Sequence, residues 1–311
     1  MREGDAPYES FSRRGFFGSL DGLRAIAALM VVWHHCHQGL YIGQAGERLG
    51  EVGVELFFVL SGFLIVTLLI RERHRTGTIR LGAFYVRRAL RIMPLYYAVV
   101  LGTAAVVFGI LPHGPSTDAL KASMPFLLTY TTNWVPVPSF LLLTWTLATE
   151  EQFYLVWPQL QSRVADSIGV PLVLLMISEA IRFRLLDQPL AFLGISVGNS
   201  FFLKAGGFTP ILLGVLLAYI LDARAGFRLA NRFLATRRAL PILVLAVFLV
   251  LEWGGEIPAG FISGAGRKLV LTLLLTCVIG ATVIREDHIA SRLLSTKFLS
   301  HLGVILSLIH I

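Results

Sequence analysis

The feature that most constrains this chain is a rhythm of long apolar runs broken by clusters of arginine. Residues 20–38 and 52–70 are two nearly unbroken apolar runs, and the next 21 residues, 71–91, hold seven arginines. A run of about 17–25 mostly apolar residues is the length that carries a helix across the ~30 Å hydrocarbon core of a bilayer. Composition supports the same reading, with 55% hydrophobic residues and only 15% charged. Soluble chains carry about 25% charged residues, so this one lacks the polar sequence to coat a soluble core of its size. A disordered chain, a coiled coil and a disulfide-stapled small domain are excluded on the same grounds. The remaining solution is an all-α polytopic transmembrane helix bundle, in which lipid covers the outside.

Further apolar runs occupy 93–111, 143–160, 170–186, 209–221, 240–253 and 269–284, which predicts about eight full spans. A ninth run starts at Leu299 and ends with the chain at Ile311; it is expected to be a truncated span. Residues 1–19 read as a cytoplasmic tail and 20–311 as a single membrane-embedded domain. Pro94 is expected to open the third span, and the proline-rich stretch 112–143 to be external, with an interfacial piece around Phe126–Leu128. The net charge is +8. In a soluble protein that balance would suggest nucleic acid, but no basic-aromatic binding motif is present. Arginines at 71–91, 163, 224–238 and 285–292 instead mark loops on the cytoplasmic side, with residues 39–51 outside. Cys36 and Cys277 lie in apolar runs without metal-ligand spacing and read as inert core thiols.

Ionisable residues inside spans are costly and normally face a cavity or a partner. The first span holds Asp21, Arg24, His34, His35 and, near its end, His37; the second holds Glu55; the fourth holds Glu150, Glu151 and Gln152. At about 100° per residue, Arg24 and His35 differ by only ~20° around a helix and lie about 16 Å apart along it. His34 points ~80° away from that stripe. Asp21, three residues before Arg24, is placed to pair with it. One face thus offers a fixed cation near the inner leaflet and, further out, an imidazole able to act as a base near neutral pH.

The same residues carry a family resemblance. The stretch Ser19-Leu-Asp-Gly-Leu-Arg-Ala-Ile-Ala-Ala-Leu followed by His34-His35 resembles the opening of the acyltransferase 3 family of integral membrane acyltransferases. Gly53-Val-Glu-Leu-Phe-Phe-Val-Leu-Ser-Gly-Phe-Leu-Ile is similar to its second span. Phe84-Tyr-Val-Arg-Arg-Ala-Leu-Arg-Ile-Met-Pro-Leu-Tyr-Tyr resembles its basic entry to the third, and Trp145-Thr-Leu-Ala-Thr-Glu-Glu-Gln-Phe-Tyr-Leu-Val-Trp-Pro its glutamate-bearing motif. The resemblance implies a cytoplasmic acyl-CoA donor, usually acetyl-CoA, and an acceptor hydroxyl on a carbohydrate or lipid-linked glycan of the cell envelope. It places the family's arginine–ten residues–histidine motif on Arg24 and His35, and its Arg-X-X-Arg motif, proposed to hold the CoA phosphates, on Arg88 and Arg91. Glu150 and Glu151 would orient the imidazole or bind the acceptor. Nothing in the sequence suggests a metal, and the expected location is a bacterial inner membrane with the N-terminus cytoplasmic.

A second function class competes. Intramembrane His and Glu residues also serve proton relays, so a transporter or flippase without acyl chemistry is the alternative. Against it, the sequence has no inverted repeat and no matched pair of broken helices. Binding or hydrolysis of CoA discriminates the two.

Overall fold

The computed structural model describes residues 6–15, 17–36, 46, 48–110, 114–164, 167–192, 207–253, 264–285 and 289–309. The expectations for His37 and for residues 39–45 of the external stretch lie outside the described residues. All regular structure among the described residues is helical. In chain order the helices are α1 (Ala6–Arg13), α2 (Gly18–Cys36), α3 (Leu49–Thr76), α4 (Leu81–Ile110), α5 (Pro115–Leu128), α6 (Thr144–Val164) and α7 (Gly169–Arg182). They continue with α8 (Asp187–Phe192), α9 (Thr209–Asp222), α10 (Arg224–Leu234), α11 (Ala239–Trp253), α12 (Gly264–Ile284), α13 (Ile289–Leu294) and α14 (Lys297–Ile309).

The helices fall where the apolar runs are. By length and composition α3, α4 and α12 can each cross a membrane, and the bent pairs α1–α2 and α9–α10 pass the same test as pairs, giving three to five candidate spans. The helices at the fifth and seventh expected spans, α7 and α11, have 14 and 15 residues. At 1.5 Å per residue these cover only about 21–23 Å. α6, at the fourth, carries Glu150, Glu151, Gln152, Gln159 and Gln161 and is too polar to pass. The apolar helices make this an integral membrane protein.

Three local expectations need correction. The arginine-rich stretch 71–91 is mostly helix: α3 runs on to Thr76, α4 begins at Leu81, and only a short turn separates them, with Gly77 at φ 77°. Arginine is nearly as good a helix former as leucine, so charge alone did not mark a loop. Pro94 therefore sits inside α4, not at its start. The external stretch 112–143 contains a 14-residue helix, α5, where only a short interfacial piece was expected. Cys36 is exposed and Cys277 partly buried, so Cys36 is not a core thiol.

The chain divides into two compact units, with boundaries inside α3, α7 and α14. The first comprises Met1–Leu68, Ile168–Ile177 and Thr209–Ser307, and the second Leu69–Ser167, Ser178–Phe208 and Leu308–Ile311. In the first, α9 is apolar all round and nearly every residue of it is buried, as expected of a helix with neighbours on all sides. It meets α3 backbone to backbone. A Cβ at Gly62 would stand 2.1 Å from the Ile211 carbonyl oxygen, and one at Gly214 2.1 Å from that of Val59. Small residues let membrane helices approach this closely. In the second unit, Ile92, Tyr96, Val100, Ala104 and Val107 form one stripe of α4 and pack with Leu120 and Leu127 of α5. Tyr96 and Tyr97 donate to the carbonyls of Leu127 (2.7 Å) and Leu128 (3.0 Å), closing the end of α5.

Candidate active site

In the first unit, Ala25, Ala27 and Ala28 line the buried side of α2. Their small size and high helix propensity keep the helix straight and close to its neighbours. Asp21 is buried and pairs with Arg24 at 3.6 Å, as the three-residue spacing predicts. Three turns further on, the His35 Nδ1 lies 2.8 Å from the Val31 carbonyl. A carbonyl oxygen only accepts, so Nδ1 carries a proton, and in the neutral ring Nε2 holds the lone pair. His34 meets the His35 ring edge-on, with centroids 5.3 Å apart at 84°. Its own ring fits against Gly50, where a Cβ would come within 2.6 Å of the His34 Cγ. The two histidines are thus turned to different neighbours, as the helical wheel predicts.

The same unit carries a second polar group. Glu51 pairs with Lys268 at 3.2 Å and Arg267 at 3.4 Å. Glu55, 4% exposed, accepts from Thr272 at 2.8 Å. Sequence reading singled out Glu55 but not its α12 partners, because they lie more than 200 residues away.

In the second unit, Arg88 of α4 lies over the Tyr154 ring of α6, 3.6 Å from its centroid. Tyr154 in turn donates to Glu150 at 3.2 Å, and Arg88 interacts electrostatically with Glu151. One turn along α4, Arg91 is exposed. The Nε of Arg88 and Oε1 of Glu151 are buried without a hydrogen-bond partner. The structure therefore brings Arg88 together with both glutamates, residues that the sequence assigned to donor and acceptor separately. Gln152 serves a structural role: it donates to the Tyr130 carbonyl (2.7 Å) and Asn133 (2.8 Å) and accepts from Asn133 (3.1 Å) and Trp134 (3.2 Å).

Sequence reading missed Tyr130 and Thr132. Tyr130 takes φ 53°, a left-handed conformation that costs a bulky residue about 1–3 kcal/mol. It stacks on Tyr96 at 4.3 Å. Its hydroxyl and that of Thr132 are buried without a hydrogen-bond partner. Burial first, and the Glu151 charge second, raise the Tyr130 phenol above its usual range, so it stays a neutral donor. Tyr154 was findable, since it stands four residues after Glu150, one helical turn. Tyr130 had no comparable signal. Among the described residues no three His, Cys, Asp or Glu side chains form a metal-holding group.

The chain is similar to known proteins. Residues 17–311 match the Acyl_transf_3 family profile, described as an acyltransferase domain. The chain is 32% identical over 157 residues to the peptidoglycan O-acetyltransferase OatA of Listeria monocytogenes, covering 47% of this chain and 24% of that protein. It is 32% identical over 164 residues to a putative O-acetyltransferase of Staphylococcus aureus, covering 49% of this chain and 26% of the relative. To the putative peptidoglycan O-acetyltransferase YrhL of Bacillus subtilis it is 25% identical over 296 residues, 87% of this chain and 44% of that protein. The chain thus spans less than half the length of each of these relatives. No solved structure matches it. With a family profile covering nearly the whole chain, and the motifs that suggested it on helices in order, the chain belongs to the acyltransferase 3 family.

Proposed function

We propose that this chain moves an acyl group, acetyl foremost, from cytoplasmic acyl-CoA to a hydroxyl of a cell-envelope carbohydrate. Peptidoglycan is the leading acceptor, since two of the similar relatives carry that substrate in their names. Residues 20–311 act as one membrane-embedded domain, in about eight spans, in the bacterial inner membrane with the N-terminus cytoplasmic. The arginine clusters on one side support that orientation.

The observation that carries the reading is the ring geometry of His35. Its Nδ1–H donates to the Val31 carbonyl, the tautomer of the neutral ring that puts the lone pair on Nε2. In the reaction Nε2 takes the proton of the acceptor hydroxyl. The oxygen then forms a bond to the thioester carbonyl carbon, the C–S bond breaks, and the CoA sulfur leaves with the proton from the imidazolium. Arg24, paired with Asp21, supplies a fixed cation on the same helix face. In the second unit Arg88 and Arg91, one turn apart, offer guanidinium edges for the donor's phosphates. The buried, unpartnered Nε of Arg88 supports that role. Glu150 and Glu151 set the Arg88 side chain and offer carboxylate acceptors to sugar hydroxyls.

The test uses the full chain in membranes with radiolabelled acetyl-CoA and peptidoglycan fragments. The unaltered protein transfers label; His35→Ala lowers the rate about 10²–10⁴-fold while CoA binding persists. Full transfer by His35→Ala removes His35 from the chemistry. A protein that neither binds CoA nor transfers label removes the acyltransferase reading and restores the transporter.

A further inference from the structure

We infer that α10 is a lipid-binding helix that lies in the membrane surface and holds the headgroups of anionic phospholipids. The helix turns away from α9 by 106° after a single intervening residue. α9 is a buried apolar helix of the bundle, and the near right angle takes α10 out of its line, which puts the bend of this candidate span at the bilayer surface. Its sequence, Arg-Ala-Gly-Phe-Arg-Leu-Ala-Asn-Arg-Phe-Leu, contains no acidic residue.

Helical geometry divides α10 into three stripes. Arg224, Arg228 and Arg232 are spaced by four and share an arc of about 80°. All three are exposed. Leu229 and Phe233 share a second stripe centred about 120° from the first. They too are exposed, at 61% and 64%. The third stripe anchors the helix to its own unit: Phe227 is 1% exposed and packs against Tyr8 at 5.5 Å and Phe11 at 5.2 Å, both of α1. Leu234 reaches Gly280 of α12.

A helix anchored on one side, with leucine and phenylalanine on one free flank and arginines on the other, has the pattern of an interfacial helix. Such helices bury the apolar flank at the acyl boundary and leave cations at headgroup level. Arg237 and Arg238, exposed just beyond the helix, extend the positive surface. Zwitterionic headgroups neutralise themselves, so the exposed arginines, Arg228 and Arg232 foremost, select anionic ones; Arg224 also lies over the Tyr8 ring at 5.6 Å. Each arginine near a charged surface is worth about a fivefold preference.

The experiment reconstitutes the full chain into nanodiscs of phosphatidylcholine and phosphatidylglycerol in equal amounts and counts the lipids that stay bound by native mass spectrometry. The expected result is retained phosphatidylglycerol that falls at least about fivefold in Arg228→Gln/Arg232→Gln. Both positions are exposed and outside the core, so the variant keeps its fold. A second measurement labels Leu229→Cys with a fluorophore in a background of Cys36→Ser and Cys277→Ser. Quenching by lipids brominated high on the acyl chain is expected. Equal retention of phosphatidylglycerol by both proteins, or a label unquenched by lipid, overturns the proposal. So does a double variant that loses acyl-CoA binding while its phosphatidylglycerol is unchanged, because the arginines then serve the donor.

Discussion

In the first unit α3 and α9 touch through their backbones, the Ile211 carbonyl against Gly62 and the Val59 carbonyl against Gly214. In the second, α4 reaches the end of α5 through tyrosine hydroxyls, and α6 holds the loop at 130–134 through a single glutamine. Burial follows the same division. In the most apolar stretch of α3, 83% of residues are buried inside the protein, against 28% in that of α4. Close glycine packing gives rigidity through shape; it holds only where nothing larger than hydrogen stands at the crossing. Hydrogen bonding gives direction instead, and tolerates a change of side chain as long as the donors and acceptors are met. The polar cluster of each unit inherits these properties: His35 stands on a helix set by small residues, Arg88 and its glutamates among oriented polar groups.

The sharpest way to break the comparison is to put a side chain into the glycine crossing. Gly62→Val has no room, because the atom its Cβ meets is a backbone oxygen that cannot swing aside. Overpacking of this kind is expected to cost about 3 kcal/mol, seen as a lower unfolding temperature of the detergent-extracted protein. A variant as stable as the parent shows that α3 and α9 can slide apart, and the first unit is then not held by close packing.

The next largest effect is expected at the seat of His34. Gly50→Ala places a methyl group 2.6 Å from the His34 Cγ, and the imidazole must move. His35 meets that ring edge-on, so its own position shifts with it. Misplacing a catalytic group by about 1 Å costs about 10²-fold in rate. Transfer by Gly50→Ala, normalised to folded protein, is expected to fall by up to that factor with CoA binding intact. His34→Ala, which empties the notch without pushing on His35, is expected to be milder. A dead His34 variant beside an active His35 variant reverses the assignment.

How much of this was readable in the sequence differs between fold and site. The helices were legible because apolar runs of membrane length have few other fates: each run meets a helix among the described residues, although only three to five are long and apolar enough to cross a membrane. The 71–91 segment was misread because arginine signals the membrane side and favours helix at once. At the site, contacts one turn apart were accessible: Asp21 with Arg24 followed from spacing, and Tyr154 with Glu150 could have. The Gly50 notch, the α12 partners of Glu51 and Glu55 and the left-handed backbone of Tyr130 were not accessible. Each depends on which distant helix lies alongside, and local periodicity carries no such information.

The smallest expected effect separates two neighbouring tyrosines in the hydrogen-bonded unit. Tyr96 is fully buried and its hydroxyl meets the Leu127 carbonyl; Tyr97 donates to the next carbonyl, Leu128, from a more exposed position. Removing the first hydroxyl leaves the buried Leu127 carbonyl with only the long 3.5 Å bond from the Tyr130 N–H, while the second carbonyl can take water instead. Tyr96→Phe is therefore expected to cost about 1 kcal/mol, and Tyr97→Phe less than half of that. Paired thermal unfolding of the two variants against the parent measures the difference. If the hydroxyls matter through direction, Tyr96→Phe also loosens the loop that Tyr130 begins, seen as faster amide exchange across 130–134. Equal and negligible effects of both variants assign the α4–α5 contact to the apolar stripe of Ile92, Val100 and Leu120, and the second unit is then held by shape as the first is.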